Sequence, residues 1–460
     1  MEKTVDWDEA LHLYEKVIAC EGEAQQIRAT LRVGRLSNLA PDNVLERTVP
    51  ILVELLGSPL HSSSPSIQEA AAYCLSRLAR KGDGSLATII GQSGVVSCLL
   101  RLLSESQSGF SRRVLIKCIW AIVTFSSLSR AIVVRNGGLE IVLNLLASCM
   151  DDTRRYLLEI LSALALLREV RRVILSLGGI PLLVEAARSS SMVSRARAAQ
   201  AIGLLGVTRR LRRMLVDLGV ILVLIELLRD GDTSTKLVAG NALGIIASHI
   251  DYIRPVAQAG AIPLYAELLQ GLEPLGREIA EDVFCVLAVA EINAISISRH
   301  LVRILQGDND EAKAAAADVL WDLSGYKHSV SIVRSSGAIP ILVGLLQHGS
   351  DEVREKVSGA VAQLSYDEED RVALADAGVI PLLVNLLQDE SDELKDNAAE
   401  ALINFSEDAL QRHRISETLN TPSFQNMQNR LIRIRASDEH MVRSLGHMSI
   451  EQLTWDPELD

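Results

Sequence analysis

GAIPILVGLLQHGSDEVREKVSGAVAQLS at 337–365 and GVIPLLVNLLQDESDELKDNAAEALINFS at 378–406 align position by position, 41 residues apart. Gly337 falls on Gly378, Pro340 on Pro381, Leu345-Leu346 on Leu386-Leu387 and Leu364-Ser365 on Phe405-Ser406. A period of roughly 20–50 residues marks a solenoid, whose units are too small to bury their own apolar faces and must stack. Each unit parses into helices. Gly337 or Gly378 closes a short first helix, because glycine tolerates the left-handed residue that a helix end needs. Pro340 and Pro381 fit the first turn of a second helix, where a missing N–H costs nothing. That helix, IPLLVNLLQ, is apolar nearly all round and is expected to be buried. Asp351 or Ser391 is placed to cap a third helix, whose Leu394, Ala398, Ala401, Leu402 and Phe405 share one face.

A glycine, an I-P-x-L-V-x-L-L helix and an A-A-x-x-L-x-N-L-S helix together resemble the armadillo repeat. The last three units look most like the repeats of plant armadillo-only proteins and of plant U-box ubiquitin ligases. The resemblance implies an all-α, right-handed superhelical solenoid whose third helices line a concave groove for extended or helical peptides. Leu-Leu helix ends recur at Leu56, Leu103, Leu146, Ala187, Leu228, Leu269, Leu305, Leu346 and Leu387, in steps of 47, 43, 41, 41, 41, 36, 41 and 41. About 400 residues and about ten repeats are thereby covered.

Composition agrees with this. Of the 460 residues 48% are hydrophobic and only 3% aromatic, without strand-like alternation, which suits helices packed through Leu, Val, Ile and Ala. A solenoid grows in one dimension, so this length demands no division into globular domains. No apolar run has transmembrane length, and the acidic start MEKTVDWDEA fits neither a secretory nor an organellar signal. A cytoplasmic protein is expected, with the nucleus open to it. Cys20, Cys74, Cys98, Cys118, Cys149 and Cys285 form no CxxC pair, and most lie in apolar helices, so buried free thiols are expected.

Three regions follow. Residues 1–40 read as N-terminal capping helices, with Asp6 as N-cap and Trp7, Leu11, Tyr14 and Ile18 on one face. Residues 41–410 are the solenoid. Residues 411–460 are polar and mixed in charge, and are expected to form a flexible tail. Within the tail, Arg430–Arg435 alternates basic and apolar residues and is a candidate to fold back on an acidic groove, and Ser437 and Ser444 are candidate kinase sites. Serine-rich loops at Ser58–Ser66 and Ser104–Ser111 offer modifiable edges. The short step between Leu269 and Leu305 has no glycine and no I-P pair from Ala288 to Ile297, leaving no room for a full first helix, and a local change of twist is expected there.

Charge is uneven. Residues 101–214 hold 18 Lys+Arg against 7 Asp+Glu, in a chain of net charge −12. Arg130, Arg171 and Arg212 repeat at 41, as do Arg172, Arg213 and Arg254. Stacked helices lie about 8–10 Å apart, so these arginines are expected to form a ladder on the outer edge. Such a ladder is either a solvated face or a site for an acidic or phosphorylated partner or, peripherally, an anionic membrane. Nucleic acid fits less well, since stacking aromatics are scarce.

Armadillo proteins that carry nuclear-import signals clamp a peptide with a ladder of Asn and, four residues earlier, Trp. Here the Asn positions hold Asn38, Arg77, Thr124, Ala163, Leu204, Ile245, Val286, Asp322, Gln363 and Asn404. The Trp positions hold Gly34, Tyr73, Trp120, Glu159, Gln200, Asn241, Asp282, Asp318, Gly359 and Glu400. Two Asn and one Trp do not make that mechanism. The departures are patterned instead: a basic wall of Arg77, Lys117, Arg155 and Arg197, an apolar floor of Ala163, Leu204, Ile245 and Val286, and an acidic wall of Glu278, Asp282, Asp318, Asp322 and Glu400. An amphipathic helix or extended segment of opposed charge would suit such a groove. Asp318 and Asp322, four apart, read as charged surface rather than a catalytic pair. No HExxH, GxSxG, GxxxxGK[ST] or zinc spacing occurs, so no metal, cofactor or catalytic residue is expected. The reading is a non-enzymatic adaptor that recognises a client for a partner such as a ubiquitin ligase. A nucleic-acid- or membrane-associated subunit is the alternative, and a solenoid enzyme a distant one.

Overall fold

The computed structural model describes residues 6–57, 64–105, 109–148, 151–325, 327–421, 424–425 and 428–429. Arg430–Arg435, Ser437, Ser444, Cys149 and most of the Ser58–Ser66 loop lie outside the described residues. The described residues are helical throughout, with no strand. The chain divides into two compact units, 1–246 and 247–460.

The 41-residue pair folds as its spacing predicts: Lys327–Ser335, Ala338–His348 and Asp351–Leu364, then Glu368–Asp376, Val379–Leu386 and Asp392–Phe405. Gly337 and Gly378 sit at φ 78° and 83°, left-handed joints that a side chain would strain, and Gly94, Gly137, Gly178, Gly219 and Gly260 repeat that joint in earlier units. Ser391 accepts from the Leu394 amide at 3.4 Å. In the preceding repeat the N-cap is Ser350, and Asp351 is the first helical residue, where its charge still favours the helix N-terminus. All nine Leu-Leu register positions, Leu56 to Leu387, are buried. Each fully buried leucine contributes about 1.5–3 kcal/mol, so the repeated pair is the spine of the core.

In the first unit the third helices Glu23–Leu36, Pro65–Leu78, Gly109–Phe125, Asp151–Ala165 and Met192–Gly206 pack each on the next. Thr233–Ala247 follows, its Ala242 backbone close enough to Gly203 that small residues are needed at the contact. At the start, Asp6 caps Trp7–Cys20 by accepting from the Asp8 and Glu9 amides at 3.1 Å. Leu11 and Tyr14 pack there against Val44. In the second unit Pro274–Leu287, Asp310–Ser324, Asp351–Leu364 and Asp392–Phe405 stack in the same way. A Cβ at Gly359 would lie 2.3 Å from the Trp321 ring, so the indole lies flat on the next helix's backbone.

Two repeats depart from the three-helix plan. Asp42–Gly57 runs through the first- and second-helix positions as one helix, with Pro50 in its interior. Glu291–Leu305 does the same at the short step, burying Ala294, Ile297, Ser298, Leu301, Ile304 and Leu305 along one side. The missing first helix is thus merged into the second, with no glycine joint between them.

The polar segment after 410 also departs from expectation at its start. Ala409–Leu419 is a helix, with Gln411 and Ile415 buried, and Phe424 beyond it is buried too. It stands to Asp392–Phe405 as Glu368–Asp376 stands to Asp351–Leu364, and Arg412 donates to the Ser406 carbonyl at 2.6 Å. Average polarity hid a helix that needs only a few apolar contacts on one side.

Candidate functional site

The first unit gathers cations and rings on its third helices. Gly109–Phe125 presents Lys117 and Trp120 a turn apart, and Asp151–Ala165 presents Arg155 and Tyr156 beside them. Trp120 meets Tyr156 edge-on, centroids 5.4 Å apart. The Arg155 guanidinium carbon lies 4.6 Å from the Tyr156 centroid and the Lys117 ammonium 5.2 Å from it, while Arg80 stands 5.8 Å from the Trp120 ring. Arg155 also donates to the Tyr156 hydroxyl at 2.6 Å. Among the described residues Arg77, Arg80, Lys117 and Arg155 form no ion pair with a carboxylate. Ring quadrupoles hold Arg80, Lys117 and Arg155 without neutralising them.

Arg197 is different: its Nε lies 3.0 Å from Glu159, so its charge is already matched. Leu204 and Ile245 are half-buried, and Asn241 is exposed. Tyr156 and Arg80 were not expected at this face. The mapping onto Asn and Trp positions passed over Tyr156 because it lies a turn before the residue aligned with Trp120. Its place directly after Arg155 was the available signal.

The second unit's third helices are acidic. Glu278 and Asp282 are exposed, Glu281, Val286 and Gln363 half-buried. Asp318 pairs with Lys356 at 3.1 Å, and Asp322 accepts from the Cys285 thiol at 3.2 Å. Burial raises the Glu281 pKa, with Asp318 adding to the rise, Lys356 opposing it, and Asp282 and Glu278 adding further. Burial works against the Lys356 charge, yet the Asp318 hydrogen bond and nearby carboxylates raise its pKa. Glu400 accepts from the Tyr366 hydroxyl. Asn404 does not face a groove: it is buried and donates to Ser365 Oγ at 2.8 Å, as Asn397 donates to Ser358 at 2.9 Å. These amides tie adjacent third helices together, a use that a buried polar group requires.

The arginine ladder splits in two. Arg130, Arg171 and Arg212 are half-buried and do not stand in solvent. Arg130 Nε donates to the Val123 carbonyl at 2.9 Å, Arg171 Nε to Ala165 at 2.9 Å and Arg212 Nε to Gly206 at 2.7 Å. The last carbonyls of a helix have no intrahelical donor, and in these three repeats an arginine from the following helix supplies one. Arg371 serves Ser365 in the same way, and Asn293 serves Leu287 in the merged repeat. Arg172, Arg213 and Arg254 are exposed.

Two of the thiols behave as expected, Cys74 and Cys118 being buried with pKa pushed up by desolvation, whereas Cys20 is exposed. Among the described residues no group of three or more His, Cys, Asp and Glu side chains could hold a metal ion. No single helix there is long and apolar enough to cross a membrane, and the apolar pair Ser127–Arg135 and Gly138–Ser148 bends by 83°.

Residues 298–403 match the family model described as HEAT repeats. The match begins inside the merged Glu291–Leu305 helix, where the chain has two helices per repeat, as HEAT units can. No curated protein matches the sequence. Among solved structures, an engineered protein studied as a structural-genomics target is similar over 87% of this chain and 99% of its own, at 23% identity and a TM-score of 0.70. A designed armadillo repeat protein is similar over 49% of this chain and 99% of its own, at 21% identity and a TM-score of 0.39. The HEAT-repeat match, with the helix order above, makes this chain a helical repeat solenoid.

Proposed function

We propose that the chain is a non-enzymatic protein-interaction scaffold, whose first unit holds an acidic or phosphorylated segment of a partner across its third helices. The observation that carries this is the set Arg80, Lys117 and Arg155, held over Trp120 and Tyr156 with no carboxylate partner among the described residues. Arginine forks match carboxylate and phosphate oxygens, and the desolvated ring faces beside them raise the value of each contact. Repeat solenoids commonly present extended surfaces of this kind. Nucleic acid is disfavoured because Tyr156, the ring best placed to stack on a base, already carries two cations. Client recognition for a ubiquitin ligase, in the cytoplasm or nucleus, is the narrower reading; it rests on the I-P-x-L-V-x-L-L likeness to plant armadillo proteins.

The test uses the full chain and a fluorescent peptide alternating glutamate or phosphoserine with apolar residues. Lys117→Glu/Arg155→Glu should weaken binding by about tenfold or more at low salt and by less at high salt, with the helical signal retained. Equal binding by variant and parent, or tighter binding to random single-stranded DNA than to the peptide, would refute the proposal.

A further inference from the structure

A second surface lies where the third helices of the first unit end. Phe125, Leu166 and Val207 follow one another in steps of 41, each closing a third helix, and they are 37%, 45% and 54% exposed. Gly109–Phe125, Asp151–Ala165 and Met192–Gly206 pack in succession, so the three apolar side chains form a row with a step of about 8–10 Å. Arg130, Arg171 and Arg212 satisfy the carbonyls beneath that row. The surface therefore offers apolar side chains over backbone that needs no water. Beside it stand exposed Arg172, Arg209, Arg210 and Arg213, which form no ion pair among the described residues. Glu169 and Asp217, both exposed, are the acidic residues on the same two short first helices, against these four arginines.

We propose that this edge docks an amphipathic α-helix of a partner protein, with one apolar residue per heptad and acidic residues on the flank facing the arginines. The spacing selects the helix. At 1.5 Å per residue, seven residues advance about 10.5 Å, matching the repeat step. Each heptad then sets one apolar side chain on Phe125, Leu166 or Val207 and one carboxylate within reach of a guanidinium. An extended strand would also meet the step, every third residue, but its side chains alternate faces, so successive contacts would point in opposite directions. Charge complementarity excludes a basic helix of the same shape. The edge is separate from the Trp120–Tyr156 face and does not depend on the function proposed there.

A synthetic helical peptide of about three heptads, with leucine once per heptad and glutamate beside it, is the probe, titrated against the full chain. Leu166→Glu/Val207→Glu should reduce affinity by at least about tenfold, and Arg209→Glu/Arg210→Glu/Arg213→Glu by a similar factor that shrinks with salt. All five positions are exposed, so circular dichroism should be unchanged. Lys117→Glu/Arg155→Glu should leave this peptide's affinity as it was. The inference fails if a scrambled peptide binds as well, if the edge variants bind like the parent, or if only Lys117→Glu/Arg155→Glu abolishes binding. Binding to phosphatidylserine vesicles in preference to the peptide also overturns it in favour of a membrane-facing edge.

Discussion

Glu281 is a carboxylate placed against its own charge. It lies half-buried among Glu278, Asp282 and Asp318, with Lys356 as the cation opposing them. Its folded pKa is raised, so ionising it costs the folded state more than the unfolded one, and above the folded value the folded state carries that penalty. The penalty fades as pH falls through the raised folded value and is gone below the unfolded one. Glu281→Gln should therefore stabilise the chain by a few tenths to about 1 kcal/mol at pH near 7, and this gain should vanish near pH 4. Carboxylates whose pKa is lowered, such as Asp42 and Asp389, follow the opposite course but are shared by variant and parent, so they cancel. Denaturant titrations of both proteins at the two pH values check this. A gain of the same size at both would show that Glu281 carries no such penalty.

Beside the asparagine ties, helix joins to helix through apolar contacts and through arginine. The Arg130, Arg171 and Arg212 caps each reach from a first helix to the end of the preceding third helix. Neighbouring Arg172 and Arg213, one residue further on, reach solvent. Arg171→Ala should cost about 1–2 kcal/mol, because it removes a charge-assisted bond and leaves a half-buried carbonyl short of a donor. Arg172→Ala should stay within about 0.5 kcal/mol of the parent. Equal losses for both, measured by urea unfolding, would mean that the cap contributes nothing. Arg334 makes a related link, binding Asp367 at 2.8 Å together with Glu369 and the buried Asp370, all from the next first helix.

Taken as a whole, the molecule is legible in sequence wherever one repeat copies another. The glycine joints, the Leu-Leu spine and the third-helix faces all follow from the 41-residue pair, because each is fixed by local backbone and burial demands that recur. Roles set by a neighbouring repeat were not legible. Asn404 fell at a groove-lining position, yet its amide is spent on Ser365. Arg130, Arg171 and Arg212 looked like an outward ladder because periodicity reports which residues are equivalent but not which way they point. The Trp120–Tyr156 cluster needed two helices to be brought side by side before either ring had a cation over it. Ala409–Leu419 escaped notice because polarity averaged over fifty residues conceals one buried isoleucine.

The merged helix Glu291–Leu305 has a consequence for how the backbone opens. At the joints the helical ladder gives way to short turns, with the Gly337 N–H donating to Arg334 at 3.3 Å and the Gly378 N–H to Ala375 at 3.0 Å. These are natural places for a transient break, since local opening starts where few bonds must be released together. Glu291–Leu305 carries its helical bonding without such a joint. In deuterium labelling followed by peptide mass spectrometry, amides around Gly337 and Gly378 should exchange faster than those of 295–303 by about tenfold or more. If 295–303 exchanges as fast, the merged helix opens as readily as a jointed pair. If it is slow, this repeat is the link in the second unit at which the chain does not flex.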